Sequence, residues 1–257
     1  MMAITANAFL ATAEAWAIPP YARLFKARYR YAPSCTACHD KDSWDLTAYG
    51  KAFFKNGRGF KAFEAAESLD LDGDGTPSGA EIKARSNPGD PRSRPDKPGD
   101  WLKEEKPIKA PARKLKAMFP EADSFAVREA ALEGESRKRV EKVLGRTLRD
   151  EELYPVLFEA LKGTRALGSA TYAVSDSKEP CLLLAGFRRE GKAFEVAGLH
   201  ALSCPRKLKA GGFLKSFEGK DPSALSVRAP EPGLKAEAEA VGEALRSAAA
   251  TLAEVFP

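Results

Sequence analysis

Cys35-Thr36-Ala37-Cys38-His39 is the segment of this chain whose residue types and spacing carry the most specific chemistry. Two thiols three positions apart can add across the two vinyl groups of one haem, and the imidazole that follows directly can hold the iron from the same short turn. Two other chemistries use these residues. A thioredoxin-like dithiol follows a core strand and opens a helix, whereas Arg28-Tyr29-Arg30-Tyr31-Ala32-Pro33-Ser34 does not read as a core strand. A zinc site needs further ligands, and outside the motif only Cys181, Cys204 and His200 are available. The expectation is haem c, bonded through Cys35 and Cys38 with His39 as axial ligand, with the dithiol and zinc readings kept as alternatives.

A sixth iron ligand is harder to find. Past the first few residues, Met118 is the one methionine and His200 the one other histidine. Methionine would raise the potential and histidine would lower it, yet each is equally explained by packing or by a satisfied imidazole. A Tyr, a Lys, a partner chain or an open iron are the other readings; an open iron would favour sensing or peroxidase-like chemistry.

The second chemical signal is Asp70-Leu71-Asp72-Gly73-Asp74-Gly75-Thr76-Pro77-Ser78-Gly79-Ala80-Glu81. It fits the calcium pattern D-x-D-x-D-G-x5-E throughout. Asp70, Asp72 and Asp74 supply carboxylates, Gly75 the sharp turn, Thr76 a backbone carbonyl, Ser78 a contact through water, and Glu81 a closing bidentate pair. Without an ion, the same string is an acidic, glycine-rich turn. Pro77 stands where paired loops carry an apolar residue, and the chain has no second loop, so this site is expected to stand alone.

The elements that must position these residues follow from patterning. Leu46 to Lys55 reads as a helix with Leu46, Tyr49, Phe53 and Phe54 on one face, ended by Asn56-Gly57. From Ser86 to Ala112 six prolines and few apolar residues read as a stiff linker. Beyond it, Glu135 to Leu144 reads as an amphipathic helix, Leu153 to Ala160 and Gly168 to Ser175 as strands, and Cys181 to Phe187 with Lys192 to Leu202 as a hairpin across Arg189-Glu190-Gly191. Leu234 to Phe256 reads as a helix whose stripe is Leu234, Ala238, Val241, Leu245, Ala248 and Leu252. Cys181 and Cys204 lie on the two hairpin arms, where a disulfide is plausible in an oxidising compartment; a register centred on Gly191 brings Cys181 nearer His200, and two inert buried thiols are the alternative.

The fold class expected is α+β. A leader segment, 1–17, is expected to precede a mainly α haem-and-calcium module, 18–95. A Pro-rich linker, 96–112, leads to an α+β domain with a small antiparallel sheet, 113–257. The leader rests on the apolar run Ala3 to Ala15 and the small-x-small string Ala15-Trp16-Ala17, although Met1-Met2-Ala3-Ile4 lacks the usual positive charge. No run reaches the roughly 20 apolar residues of a bilayer span, so the mature chain is expected to have no transmembrane segment and to be periplasmic or otherwise extracytoplasmic. In 257 residues, 41 basic and 36 acidic residues give a charge of +5 without aromatics interleaved among basic runs, which argues against nucleic acid as a partner.

Around the haem motif, Pro20-Tyr21-Ala22-Arg23 and Tyr49-Gly50-Lys51-Ala52-Phe53-Phe54-Lys55-Asn56-Gly57 resemble the flanks of a bacterial c-type cytochrome module, over about the first quarter of the chain; the ten residues Leu24 to Pro33 look like an insertion relative to that form. The calcium string and its continuation to Pro91 are similar to dockerin and thrombospondin type 3 repeats, which implies a structural ion. The second domain resembles the extracytoplasmic flavin-binding domain of Rnf and Nqr redox complexes, on Met118 to Phe125, Lys142 to Arg146, Val196 to Leu202 and Phe213 to Lys220. That family attaches FMN to the Thr of a Ser-Gly-Ala-Thr string. Here Ser226-Val227-Arg228-Ala229-Pro230-Glu231-Pro232-Gly233 holds no Thr, so covalent FMN is not expected.

The leading functional expectation is an exported cytochrome that passes single electrons to redox protein partners, with Arg23, Lys26, Arg28 and Arg30 either steering an acidic partner or forming a solvated face. A flavin-and-haem oxidoreductase and a haem-based sensor are the alternatives. No hydrolytic constellation can be assembled, because His39 is committed to iron and His200 has no nucleophile beside it.

Overall fold

A computed structural model of the chain describes residues 19–43, 45–104, 110–190, 193–209 and 212–256. The expected leader, 1–17, and part of the expected linker, 105–109, lie outside them. The architecture is α+β, and no helix among the described residues is long and apolar enough to cross a membrane.

The first half is helical: α1 (Pro19–Tyr29), a 3₁₀ turn at Cys35–Ala37, α2 (Ala48–Lys55), α3 (Phe60–Glu67) and α4 (Ser78–Ala84). Pro19 and Pro20 sit in the first turn of α1, where a missing N–H costs nothing. Leu24 and Phe25 of α1, Tyr49 and Phe53 of α2, Phe63 of α3 and Ile82 of α4 share one core. Phe53 stacks on Phe63 with centroids 4.5 Å apart, and Phe25 meets Phe63 edge-on. The stretch from Leu24 to Tyr29 is therefore part of a packed helix. Its recurring apolar positions, Tyr21, Leu24, Phe25 and Tyr29, follow helical spacing between the charged residues.

The second half is a meander of five antiparallel strands in sequential order: β1 (Ser124–Glu129), β2 (Val156–Lys162), β3 (Arg165–Val174), β4 (Leu182–Glu190) and β5 (Ala193–Ser203). Alternation divides each central strand between two cores. Leu157, Leu183, Ala185 and Phe187 face α8 (Lys235–Val255), which offers Ala238, Val241, Leu245, Ala248 and Leu252; the expected stripe is core. Phe158, Ala160, Ala170 and Leu184 face the other way, against Leu115 and Met118 of α5 (Ala112–Met118) and Phe119. Gly186 and Gly198 leave room for the Met118 side chain. Two shorter helices, α6 (Gly134–Leu144) and α7 (Arg206–Lys209), complete the half.

The β4–β5 ladder carries two register shifts, between Leu182 and Leu183 and between Gly186 and Phe187. Each bulge advances β5 by one position. His200 thus pairs with Leu184, and Cys181, expected nearer His200, is bonded instead to Cys204, with a Cα separation of 4.1 Å. This disulfide closes a span of 23 residues, for which chain entropy gives about 3 kcal/mol. Cys181→Ala with Cys204→Ala is expected to lose about that much in urea unfolding, against no change if the bond contributes nothing.

The halves meet through side chains rather than through an open linker. Phe60 N–H donates to Asp150 Oδ2 at 2.7 Å, Phe60 meets Tyr154 edge-on, and Arg23 pairs with Glu129 while also donating to the Ala130 carbonyl at 3.0 Å. The basic residues of α1 are largely answered from within: Lys26 also reaches Glu129, and Arg28 pairs with Glu67 at 2.9 Å and Glu64 at 3.1 Å. A steering surface built on them is correspondingly weakened.

The segment read as a linker is folded for its first part. Ser86, Asn87, Ser93 and Trp101 are buried between Arg85 and the 3₁₀ turn Trp101–Glu104. Polar side-chain anchors hold it where apolar ones are scarce.

Candidate functional site

The Cys35–Ala37 turn is set by its own backbone and by α2. Cys38 N–H and His39 N–H both donate to the Cys35 carbonyl, at 3.2 and 3.0 Å. Thr47, the N-cap of α2, accepts from Gly50 N–H through Oγ1 and donates that hydroxyl to the Ala37 carbonyl at 3.0 Å, while its own N–H donates to the Cys38 carbonyl. A Cβ on Gly50 would overlap the Cys38 carbonyl oxygen, so α2 lies directly on the motif backbone.

Cys35, Cys38 and His39 line one cleft, which Tyr21, Phe53 and Phe54 wall with aromatic surface. Tyr21 packs edge-on to both phenyl rings, at 5.3 and 6.0 Å. His39 also borders a larger polar cleft with Asp40, Lys41, Asp90 and Arg92. An apolar wall beside two thiols and an imidazole, opening onto charged groups, suits a flat ring system with polar edges. The surroundings push the Cys38 thiol up to about 12, burial first and then Cys35. A redox dithiol does the opposite, depressing a thiol to make a nucleophile. The donor set and the wall therefore fit a covalently held haem better than a thioredoxin-like pair.

The expected sixth ligands are elsewhere. Met118 is buried between α5 and the sheet, and His200 is an exposed residue of β5 whose pKa burial lowers, with Lys114 and Lys209 adding to the effect. Neither lines the cleft at His39. Cys181 and Cys204, consumed by their disulfide, are not spare zinc ligands.

The acidic loop is organised in the manner of a cation site. Asp70 accepts from Gly73 N–H and Gly75 N–H, Asp72 from Asp74 N–H, and Asp74 from Thr76 N–H at 2.7 Å. Asp70, Asp72 and Asp74 each bring a carboxylate oxygen within 4.8 Å of the others. Glu81, 0% exposed on α4, has both carboxylate oxygens buried without a hydrogen-bond partner, as are Asp72 Oδ2 and Asp74 Oδ2. Three clustered aspartates, with a fully buried Glu81 whose carboxylate has no hydrogen-bond partner close behind them, fit a hard divalent cation. Ser78 is less free than its position suggests: it is buried, and its hydroxyl donates to the Leu69 carbonyl at 2.9 Å.

Burial first, then Asp72, Asp74 and Asp70, push Glu81 up from 4.5 to about 8. A proton held more tightly folded than unfolded gives a contribution that is present below the unfolded value and lost as pH rises through the folded one. In chelator, the melting temperature is thus expected to fall as pH climbs from 4.5 to about 8. With calcium, which takes the proton's place, that fall should vanish. Calorimetry across this interval checks both arms, and a chelated protein that gains stability there would contradict the arrangement.

Sequence reasoning missed the residues that tie the two sites together. Asn87 Nδ2 donates to the Thr36 carbonyl and Thr36 Oγ1, both at 3.3 Å, and Gly89 lies against the Ala37 carbonyl and Thr47. The turn string Asn87-Pro88-Gly89 was visible as punctuation, but nothing in it names its distant partner. No protein family, no curated protein and no solved structure matches the chain.

Proposed function

We propose that this chain is an exported c-type cytochrome that carries single electrons on one haem, with a structural calcium ion on the Asp70–Glu81 loop. The observation that carries the reading is the convergence of Cys35, Cys38 and His39 on one cleft walled by Tyr21, Phe53 and Phe54. A haem bound there would supply one-electron redox chemistry. The thioethers at Cys35 and Cys38 would fix its orientation, His39 would hold the iron, and the three aromatic side chains would exclude water from the ring. Asp70, Asp72, Asp74 and Glu81 would hold calcium, with the Thr76 carbonyl and a water at Ser78 completing the set. The second half is read as the docking surface for a redox partner; its loop Ser226 to Gly233 gives no Thr for FMN.

One observation favours a second reading. The described lining of the cleft holds no methionine and no second histidine, and an iron with an open sixth position would suit a sensor of small ligands. Absorption spectra of the exported protein, oxidised and reduced, with and without carbon monoxide, test both. A haem spectrum indifferent to carbon monoxide supports the electron carrier, a shift supports the sensor, and a colourless protein overturns the two together.

A further inference from the structure

We propose that residues 85–101 form a coupling strap through which a cation on the Asp70–Glu81 loop controls how firmly the Cys35–His39 turn is held; the proposal rests on the calcium reading above.

The strap touches both sites. At its start, Glu81 presents its carboxylate to the loop while its backbone carbonyl accepts from Ser86 N–H at 2.9 Å and Ser86 Oγ at 3.3 Å. One residue on, Asn87, 2% exposed, donates through Nδ2 to both acceptors of Thr36, inside the haem motif. Further along, Arg94 Nε lies 3.7 Å from Asp74 Oδ2, a buried loop carboxylate oxygen. The chain thus leaves the loop, clasps the motif and returns to the loop.

Polar contacts also hold the strap in shape, among them a turn at Asn87–Asp90 and a pair of backbone bonds between Arg94 and Lys97. Asn87 N–H donates to Ser93 Oγ at 2.8 Å, Ser93 Oγ donates to the Pro98 carbonyl at 2.7 Å, and Trp101 Nε1 donates to the Arg85 carbonyl at 2.8 Å. Arg85 itself is in the left-handed region, φ 62°, a conformation an L residue keeps only when its surroundings hold it. Without a cation, nothing ties the buried Glu81 side chain to the three aspartates of the loop, so α4 is loosened at Glu81 and the first link of the strap moves with it. With a cation, Glu81 is fixed, Ser86 and Asn87 follow, and the Thr36 end of the motif is closed. Coupling of this kind is reciprocal: a motif held closed by its cofactor should in turn bind calcium more tightly.

The test uses the full chain made without export, in which Cys35 and Cys38 carry no haem. Their alkylation by iodoacetamide is followed by mass spectrometry in calcium and in chelator, and calcium binding is measured by titration calorimetry on the same preparations. Calcium is expected to slow the slower of the two thiols about tenfold. Asn87→Ala should still give a calcium binding heat yet lose that protection, and Glu81→Gln should lose both. Trp101→Phe, which keeps the ring and removes the anchor to Arg85, should weaken the protection and serves if Asn87→Ala does not fold. A calcium heat with unchanged alkylation rates would overturn the coupling alone, as would full protection retained in Asn87→Ala or Trp101→Phe. No heat in the unmodified chain would overturn the calcium reading and the coupling with it.

Discussion

Gly50→Ala is expected to destabilise this protein by about 2 to 3 kcal/mol, although the same change inside an exposed helix stabilises by about 1 kcal/mol. The sign is reversed by contact. The added methyl would overlap the carbonyl oxygen of Cys38, a backbone atom that no rotamer change can move aside. Relief requires α2 to back away from the motif, which breaks the Thr47 bonds to the Ala37 and Cys38 carbonyls and opens the cleft wall at Phe53. Urea unfolding gives the stability change, and the yield of coloured protein after export gives the effect on the site. A stabilised Gly50→Ala protein would mean that α2 does not rest on the Cys35–His39 turn.

Glu81→Gln is expected to change stability in opposite directions with and without calcium. In chelator at pH 8 or above, the substitution removes a buried carboxylate that the fold would rather keep protonated, so the variant should melt higher than the unmodified chain. In calcium the order should reverse, because the variant has lost the closing ligand. At calcium a hundredfold above the dissociation constant, an intact site adds about 2.7 kcal/mol, and the variant should receive almost none of it. Melting curves of the two proteins in both buffers suffice. If the variant melts lower in chelator as well as in calcium, Glu81 is a packing residue and not a cation ligand.

The local geometry of both candidate sites is legible in the sequence because each is short-range. A C-x-x-C-H string closes its own turn, and the aspartates of the acidic loop accept from backbone N–H groups two to five residues on, with Ser78 closing the loop onto Leu69 nine residues back. The same holds for α2, for the hairpin and for the apolar stripe of α8, whose periods survive into the structure. What was lost is non-local. The register that joins Cys181 to Cys204 depends on two bulges, each set by packing on both faces of the sheet and by no turn residue. Strand β1 was not anticipated, since as an edge strand it is mostly exposed and shows no alternation. The strap reads as a linker because its prolines are conspicuous and its anchors, Ser86, Asn87 and Ser93, are small polar residues without a period. Met118 and His200 were considered for iron only because they were the residues left over. Met118 fills the space that Gly186 and Gly198 leave under the sheet.

The electron-carrier reading depends on a porphyrin bonded to Cys35 and Cys38. It is tested most directly by the intact mass, under denaturing conditions, of the chain exported by a cell that matures c-type cytochromes, beside Cys35→Ala with Cys38→Ala. The unmodified chain is expected to carry the added mass of one haem, and the double variant to weigh only its amino acids. An unmodified chain with no added mass would contradict it.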